Sequence, residues 1–217
     1  MNPLDQQEAK AKRGRGRPAR RPEESEARNR LVRVGLAYLT EKGYSPTGLN
    51  AVLREAGVPK GAFYHYFRDK EDFGLQLIEA YSGYFCRKLD RCFQDESRSA
   101  PQRLRAFVDE AASGMSKYGF RRGCLVGNLG QEMNALPEPF RAKLVATIAD
   151  WERRTAKCLS EGQSEGSVSG SVDTERMARF FWIGWEGAVL RAKLERCAQP
   201  LEAFAQSFFD LINPKRG

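Results

Sequence analysis

The sequence predicts an all-α fold, and three observations carry that expectation. Apolar residues recur at helical spacing along nearly the whole chain. Glycine and proline punctuate it where helices should stop and start. No sustained period-2 alternation marks a strand, and no internal repeat appears. At 217 residues the chain can bury a substantial core, and its 41% hydrophobic and 29% charged residues are ordinary for a globular protein.

Residues 1–22 are polar, with Gly14, Gly16, Pro18 and Pro22, and read as a flexible basic arm. From Glu23 the pattern turns helical. Val32, Leu36 and Leu39 form the first apolar stripe, and Gly43 stops it. Leu49, Val52 and Leu53 mark a short second helix ended by Gly57. Pro59 opens a third, since a first-turn residue needs no N–H. Asp69 is a candidate N-cap, supported by Asp72 three residues on, for a fourth helix from Lys70 to about Phe93. Later helices are expected from Pro101 to about Tyr118, from about Asn128 to Leu136, and from Pro137 to about Gly162. SEGSVSGSV, residues 164–172, reads as a loose Ser/Gly loop. Two last helices follow, from about Thr174 to Arg196 and from Pro200 to about Ile212. The expected division is an arm at 1–22, a helix-turn-helix unit at 23–69 and a larger helical domain at 70–217.

The formal net charge is +8, and seven basic residues with no acidic one lie between Lys10 and Arg21. That balance favours a polyanionic partner. The five cysteines lack close pairing, and the basic start is no secretory signal, so reduced thiols in a cytoplasm are expected. No apolar run is long enough to span a membrane. One histidine, no Cys-x-x-Cys, no phosphate loop and no Gly-x-Ser-x-Gly leave no basis for an enzyme, a metal or a cofactor.

VPKGAFYHYFRDKEDF, residues 58–73, holds Phe63, Tyr64, Tyr66, Phe67 and the lone His65 within five positions. Phe63 and Phe67, at i and i+4, can share a buried face. A short turn at Gly57–Pro59 between two helices is the geometry of a helix-turn-helix, whose second helix enters the major groove. Lys60, Gly61 and Ala62 would then approach the duplex, with Tyr64, His65 and Tyr66 facing or bordering it. An aromatic core helix closing a bundle fits the pattern as well.

LREAGVPKGAFYHYFRDKEDF and the preceding LTEKGYSPTGLNAVL resemble the N-terminal domain of TetR-family transcriptional repressors, over about Leu31 to Leu77. The resemblance implies a three-helix DNA-binding domain, a helical ligand-binding and dimerisation domain, and no enzymatic activity. It places Lys60, Ala62, Tyr64, His65 and Tyr66 against DNA, and Thr47 and Lys70 on phosphates at helix N-termini. Gly48-Leu49-Asn50 departs from the commoner Thr-hydrophobic-Arg lead into the second helix. In the arm, Arg15-Gly16-Arg17-Pro18 resembles an AT-hook core, so Arg13, Arg15 and Arg17 are candidates for a narrow minor groove. A solvated basic tail is the alternative.

The regulatory half has two informative stretches. DTERMARFFWIGWEGAVLRAKLE is apolar over too wide an arc for one surface helix, so a core and a partner copy should share it, with Gly184, Gly187 and Ala188 allowing close approach. GFRRGCLVGNLGQEM, residues 119–133, sets polar groups in an apolar region, either lining a pocket or joining two helices. RRGCLVGNLGQEM and FWIGWEGAVLRAKLE resemble an acrylate-responsive branch of the TetR family, with electrophile-responsive repressors more distant. The implied ligand-binding or sensing residues are Arg121, Cys124, Asn128, Gln131, Glu132, Trp182, Trp185 and Glu186. Two models follow. A small carboxylate such as acrylate binds reversibly, or Cys124 reacts covalently, its pKa lowered by Arg121 and Arg122. A small buried hydrophobe is the bland role for Cys124. The expected partners are a double-stranded DNA operator, a small-molecule inducer and a second copy of the chain; a non-specific architectural DNA-binding protein is the competing class.

Overall fold

The computed structural model describes residues 25–213. Arg13, Arg15 and Arg17, with the rest of the arm, lie outside them. Among the described residues there are nine α-helices, one 3-10 turn and no strand. They are α1 (Glu26–Lys42), α2 (Leu49–Ala56), α3 (Lys60–Phe63), α4 (Lys70–Phe93), α5 (Ala100–Lys117), α6 (Leu125–Gln131), the 3-10 turn Met133–Ala135, α7 (Glu138–Ser164), α8 (Thr174–Glu195) and α9 (Gln199–Ile212).

The local signals explain most boundaries. Gly43 takes φ +86°, and its N–H donates to Leu39 O at 3.2 Å, closing α1. Gly57 takes φ +62° and makes the sharp turn from α2 towards α3, a left-handed conformation that glycine adopts without penalty. The Asp69 carboxylate accepts the Asp72 N–H at 2.7 Å, and the Asp72 carboxylate accepts the Arg68 N–H at 2.9 Å, fixing the start of α4. Ser99 and Gln102 form the corresponding box on α5.

The third helix is a single turn, because its later amides bond three residues back: His65 to Ala62 and Tyr66 to Phe63. Two expectations are corrected. The sixth helix starts at Leu125, three residues before Asn128, with extended Cys124 as its N-cap and Leu125, Val126 and Leu129 buried. The Ser/Gly loop is tied down, not loose. Ser167 and Val168 donate to Gly162 O, Gln163 donates to Ser169 O and Val172 O, and Ser169 N donates to Ile212 O.

Packing places α1 across α2, α4 and α6, while α7 lies along α4 and α8, and α9 closes over α8. Phe63 and Phe67 are fully buried with Phe73 of α4, ring centroids 5.1, 5.5 and 4.7 Å apart. A second aromatic cluster, Phe85, Phe107, Trp151, Phe181, Trp182 and Trp185, fills the larger helical core. The apolar arc of α8 divides as its width demands. Phe181, Trp182, Trp185 and Val189 are buried, whereas Phe180, Ile183, Leu190 and Leu194 stay exposed. Among the described residues no helix is long and apolar enough to cross a membrane.

Candidate functional site

The α2–turn–α3 unit presents one polar surface. Lys60, Gly61, Tyr64 and His65 are exposed, and Ala62 is half-buried. A Cβ on Gly61 would meet nothing within 4 Å, so this backbone is open to a neighbour. Tyr64 is 52% exposed, its ring edge-on to buried Phe63 at 5.3 Å. Tyr66 differs: it is half-buried against the core, and its hydroxyl shares a 2.8 Å hydrogen bond with Ser25 Oγ. It borders that polar surface and fastens it to the start of α1.

Both expected helix-start phosphate contacts are turned inwards. Thr47 is buried, and its hydroxyl donates to Gly43 O at 2.6 Å, so the side chain braces the loop before α2. The N-cap of α2 is Gly48, which leaves that helix end without a side-chain cap. Lys70 donates to Tyr44 O at 3.3 Å and lies over the Tyr44 ring at 4.3 Å. Burial lowers its pKa, and Glu132 partly restores it. Its ammonium packs the α1–α2 loop.

A cavity of about 550 Å³ opens between α1, α4, α5, the α5–α6 loop and α8. Val32 and Leu36, Tyr81 and Phe85, Met115 and Trp185 supply apolar wall; Arg33, Lys88 and Arg122 supply cations. Cys124 lies in the wall. Of the expected ligand residues, the structure brings only Cys124 and Trp185 to this cavity. Arg121 and Gln131 are exposed elsewhere. Trp182 is buried in the core, its indole N–H donating to Thr155 Oγ1 at 3.0 Å. Arg122 takes the place assigned to Arg121, because Gly119 and Phe120 both adopt left-handed backbone and redirect the chain before it. Arg122 stacks 4.0 Å from the Tyr118 ring centroid, 3.6 Å from Glu41, with Nε buried and lacking a hydrogen-bond partner.

Asn128 and Glu132 serve another purpose. Asn128 Nδ2 donates to Leu39 O and Thr40 O at 2.9 and 2.8 Å, and its Oδ1 accepts from Lys193 Nζ at 3.0 Å. Gly123 N also donates to Thr40 O. Glu132 accepts the Tyr44 and Ser45 N–H groups at 3.0 and 2.7 Å. A Cβ on Gly43 would collide with that carboxylate. These bonds satisfy the carbonyls at the end of α1 and the amides of the loop leading to α2. They tie α6, whose N-cap lines the cavity, to the helix-turn-helix. Lys193 was not foreseen as a site residue; no local pattern sets it apart from other helical lysines.

Beside the cavity, Tyr81 O–H donates weakly to Cys124 Sγ at 3.7 Å, and the Glu186 carboxylate lies next to the thiol. Burial, then the Glu186 charge, pushes the Cys124 pKa well above its ordinary value. This reverses the expected lowering by Arg121 and Arg122: one is remote, the other turns to Glu41 and Tyr118. The thiol is therefore neutral at pH 7 and a poor nucleophile. Glu186 keeps its carboxylate enclosed against Gly127, with Oε1 lacking a hydrogen-bond partner. Burial raises its pKa to about 7.

The sign for Glu186 follows from proton uptake. The folded state holds the proton more tightly than the unfolded chain, whose carboxyl titrates near 4.5. Its contribution is fully present below pH 4.5 and is lost as pH rises through about 7. Glu186→Gln is expected to remove a stability decline on the order of 2–3 kcal/mol across that window. Urea unfolding at pH 4.5, 6 and 8 measures it, and an unchanged slope in the variant would contradict the assignment.

Residues 31–77 match the family model for bacterial regulatory proteins of the tetR family, and residues 100–208 match the tetracyclin repressor-like C-terminal domain. The chain is 55% identical over 194 residues to the transcriptional regulator AcuR of Cereibacter sphaeroides, covering 89% of each protein. It is 32% identical to the HTH-type transcriptional repressor DhaR of Mycobacterium sp. strain GP1, over 86% of this chain and 92% of that one. A crystal structure of regulatory protein TetR from Rhodobacter sphaeroides superposes with a TM-score of 0.85 at 54% identity, covering 87% of this chain and all of the other. The reduced form of Escherichia coli NemR superposes at 0.79 and 27% identity, over 87% of this chain and 99% of that one. Two matched domains, the helix-turn-helix and the helical body behind it identify the chain as a member of the TetR family of transcriptional regulators, which are not enzymes.

Proposed function

We propose that the chain is a repressor that binds a palindromic operator as a homodimer and is released by a small carboxylate, acrylate or a related unsaturated acid. The observation that carries this reading is the connection between its two surfaces. Exposed Lys60, Tyr64 and His65 follow α2, which packs on α1; α1 also walls the cation-lined cavity, and α6 reaches from the cavity wall to the loop before α2. A ligand preferring one arrangement of α1 and α6 shifts the recognition helix by population. The acrylate assignment rests on the likeness of RRGCLVGNLGQEM and FWIGWEGAVLRAKLE to the acrylate-responsive branch. The division at Asp69–Lys70 falls in the capped turn between recognition surface and α4.

The dimer surface is the exposed α8 stripe of Phe180, Ile183, Leu190 and Leu194, with Leu211 of α9. Gly187 lies open there, whereas a Cβ on Gly184 would strike Phe204 and Ala188 is buried, so these two serve the α8–α9 contact. A dimer reading half-sites one turn apart, about 34–36 Å, matches two recognition helices to successive major grooves. Arg13, Arg15 and Arg17 are assigned to the flanking minor groove.

Footprinting tests the whole. One palindromic site protected at low concentration and cleared by acrylate, in the wild type and in Cys124→Ser alike, is the expected result. Protection spread evenly along the DNA would favour an architectural protein. A Cys124→Ser variant deaf to acrylate would favour covalent sensing, which the elevated thiol pKa opposes.

A further inference from the structure

The cavity is large for a three-carbon acid. At roughly 30 Å³ per heavy atom, a water's share of liquid volume, five heavy atoms fill about 150 Å³. Most of the 550 Å³ would remain as water against Phe85, Met115 and Trp185. Cavities of this size ordinarily enclose ligands several times larger. Apolar wall left facing water contributes nothing to binding, whereas covering it is favourable.

The charges fix the other half of the ligand. Three cations, and no Asp or Glu, line the cavity. Two of them have carboxylates beside them: Glu41 lies 3.6 Å from Arg122 Nε, and Glu110, which Arg91 holds at 2.6 Å, lies 3.8 Å from Lys88. Arg33, exposed on α1, has no ion pair among the described residues. Arg33 is thus the lining cation with no carboxylate beside it, and one anionic group matches it.

We infer that the preferred ligand is a monocarboxylate with an apolar extension, an aryl- or alkyl-substituted 2-alkenoic acid, its carboxylate on Arg33 and its tail over Phe85, Met115 and Trp185. This rests on the carboxylate-released repressor proposed above and names the size and charge of the molecule that releases it. Arg33 belongs to α1, whose far end Asn128 and Gly123 hold. The carboxylate therefore bears directly on the helix that carries the DNA-binding unit.

Isothermal titration of the full-length protein with acrylate, cinnamate, cinnamyl alcohol and fumarate tests the inference. Each buried methylene is worth about a fourfold gain, so cinnamate should bind at least tenfold tighter than acrylate. Cinnamyl alcohol should bind at least tenfold more weakly than cinnamate, and fumarate no better than acrylate. Arg33→Gln, a surface change on a well-formed helix, should weaken cinnamate about tenfold and leave the alcohol unchanged. Acrylate binding as tightly as cinnamate would overturn the size argument while leaving the carboxylate reading intact. Equal binding of alcohol and acid, or preference for fumarate, would overturn the charge argument. Failure of both acids to bind would remove the carboxylate reading itself.

Discussion

Arg103→Met is expected to lower the unfolding free energy by about 2–3 kcal/mol, since hydrogen bonds from a charged group are worth more than neutral ones while the carboxylates left behind, 39% and 42% exposed, stay solvated. Arg103 is 3% exposed at the junction of three elements. Its Nε donates to Asp95 O and Arg98 O at 2.9 and 2.8 Å, and Nη1 donates to Phe93 O at 3.4 Å. Nη1 also meets Glu161 at 2.7 Å, and Nη2 meets Glu165 at 3.3 Å. One planar fork thus closes the end of α4, the α4–α5 loop and the last turns of α7. Methionine keeps most of the stem's volume but removes a donor from three carbonyls; Asp95 O keeps the Arg98 N–H at 3.1 Å, so the loss falls chiefly on buried Phe93 O. Arg103→Lys should recover only part of the loss, since an ammonium cannot reproduce the fork. Urea unfolding at pH 7 gives the value directly, and the melting temperature should fall on the order of 10 °C. A loss below 1 kcal/mol would show that the cluster does not hold these helices.

The helix boundaries could be read from the sequence because their causes are local. Asp69 caps with an amide three residues away, and Gly43 and Gly57 stop their helices through their own backbone angles. The burial of Phe63 and Phe67 likewise follows from an i, i+4 spacing. The site was less legible because its partners are remote in the chain. Glu132 reaches amides 88 and 87 positions away, and Asn128 a carbonyl 89 away. Their stretch left pocket lining and helix joining both open, and the fold uses these two residues to join α6 to the end of α1 and the loop after it. The cavity takes Arg33 from α1, Lys88 from α4 and Met115 from α5, each on a helix whose own pattern reports only a buried stripe. Arg121 and Arg122 are neighbours in sequence, and left-handed Phe120 decides which one turns inwards. The elevated pKa values of Cys124 and Glu186 arise from enclosure, which only the assembled fold supplies.

Substituting Lys60→Glu and Tyr64→Ala together should weaken binding to the footprinted operator at least a hundredfold while leaving unfolding free energy within about 0.5 kcal/mol. Both side chains are exposed. Removing them opens no cavity and strands no buried polar group, so the folded state has little to lose. On DNA the losses differ in kind. Tyr64 offers a hydroxyl and a ring edge at the surface of the turn, a contact worth about 1–3 kcal/mol if it reaches a base or phosphate. Lys60 loses a phosphate partner and gains repulsion, so the slope of log affinity against log salt should flatten by about one or more. Tyr66→Phe separates surface recognition from scaffold. Its hydroxyl is spent on Ser25, so the variant should lose about 1 kcal/mol of stability and keep its salt slope. Thr47→Val should act in the same way, because its hydroxyl is committed to Gly43 O. Fluorescence anisotropy at several salt concentrations distinguishes these outcomes. Operator affinity within threefold of wild type in the Lys60→Glu, Tyr64→Ala protein would mean that α3 does not face the duplex, and the DNA-reading surface would have to be sought elsewhere on the molecule.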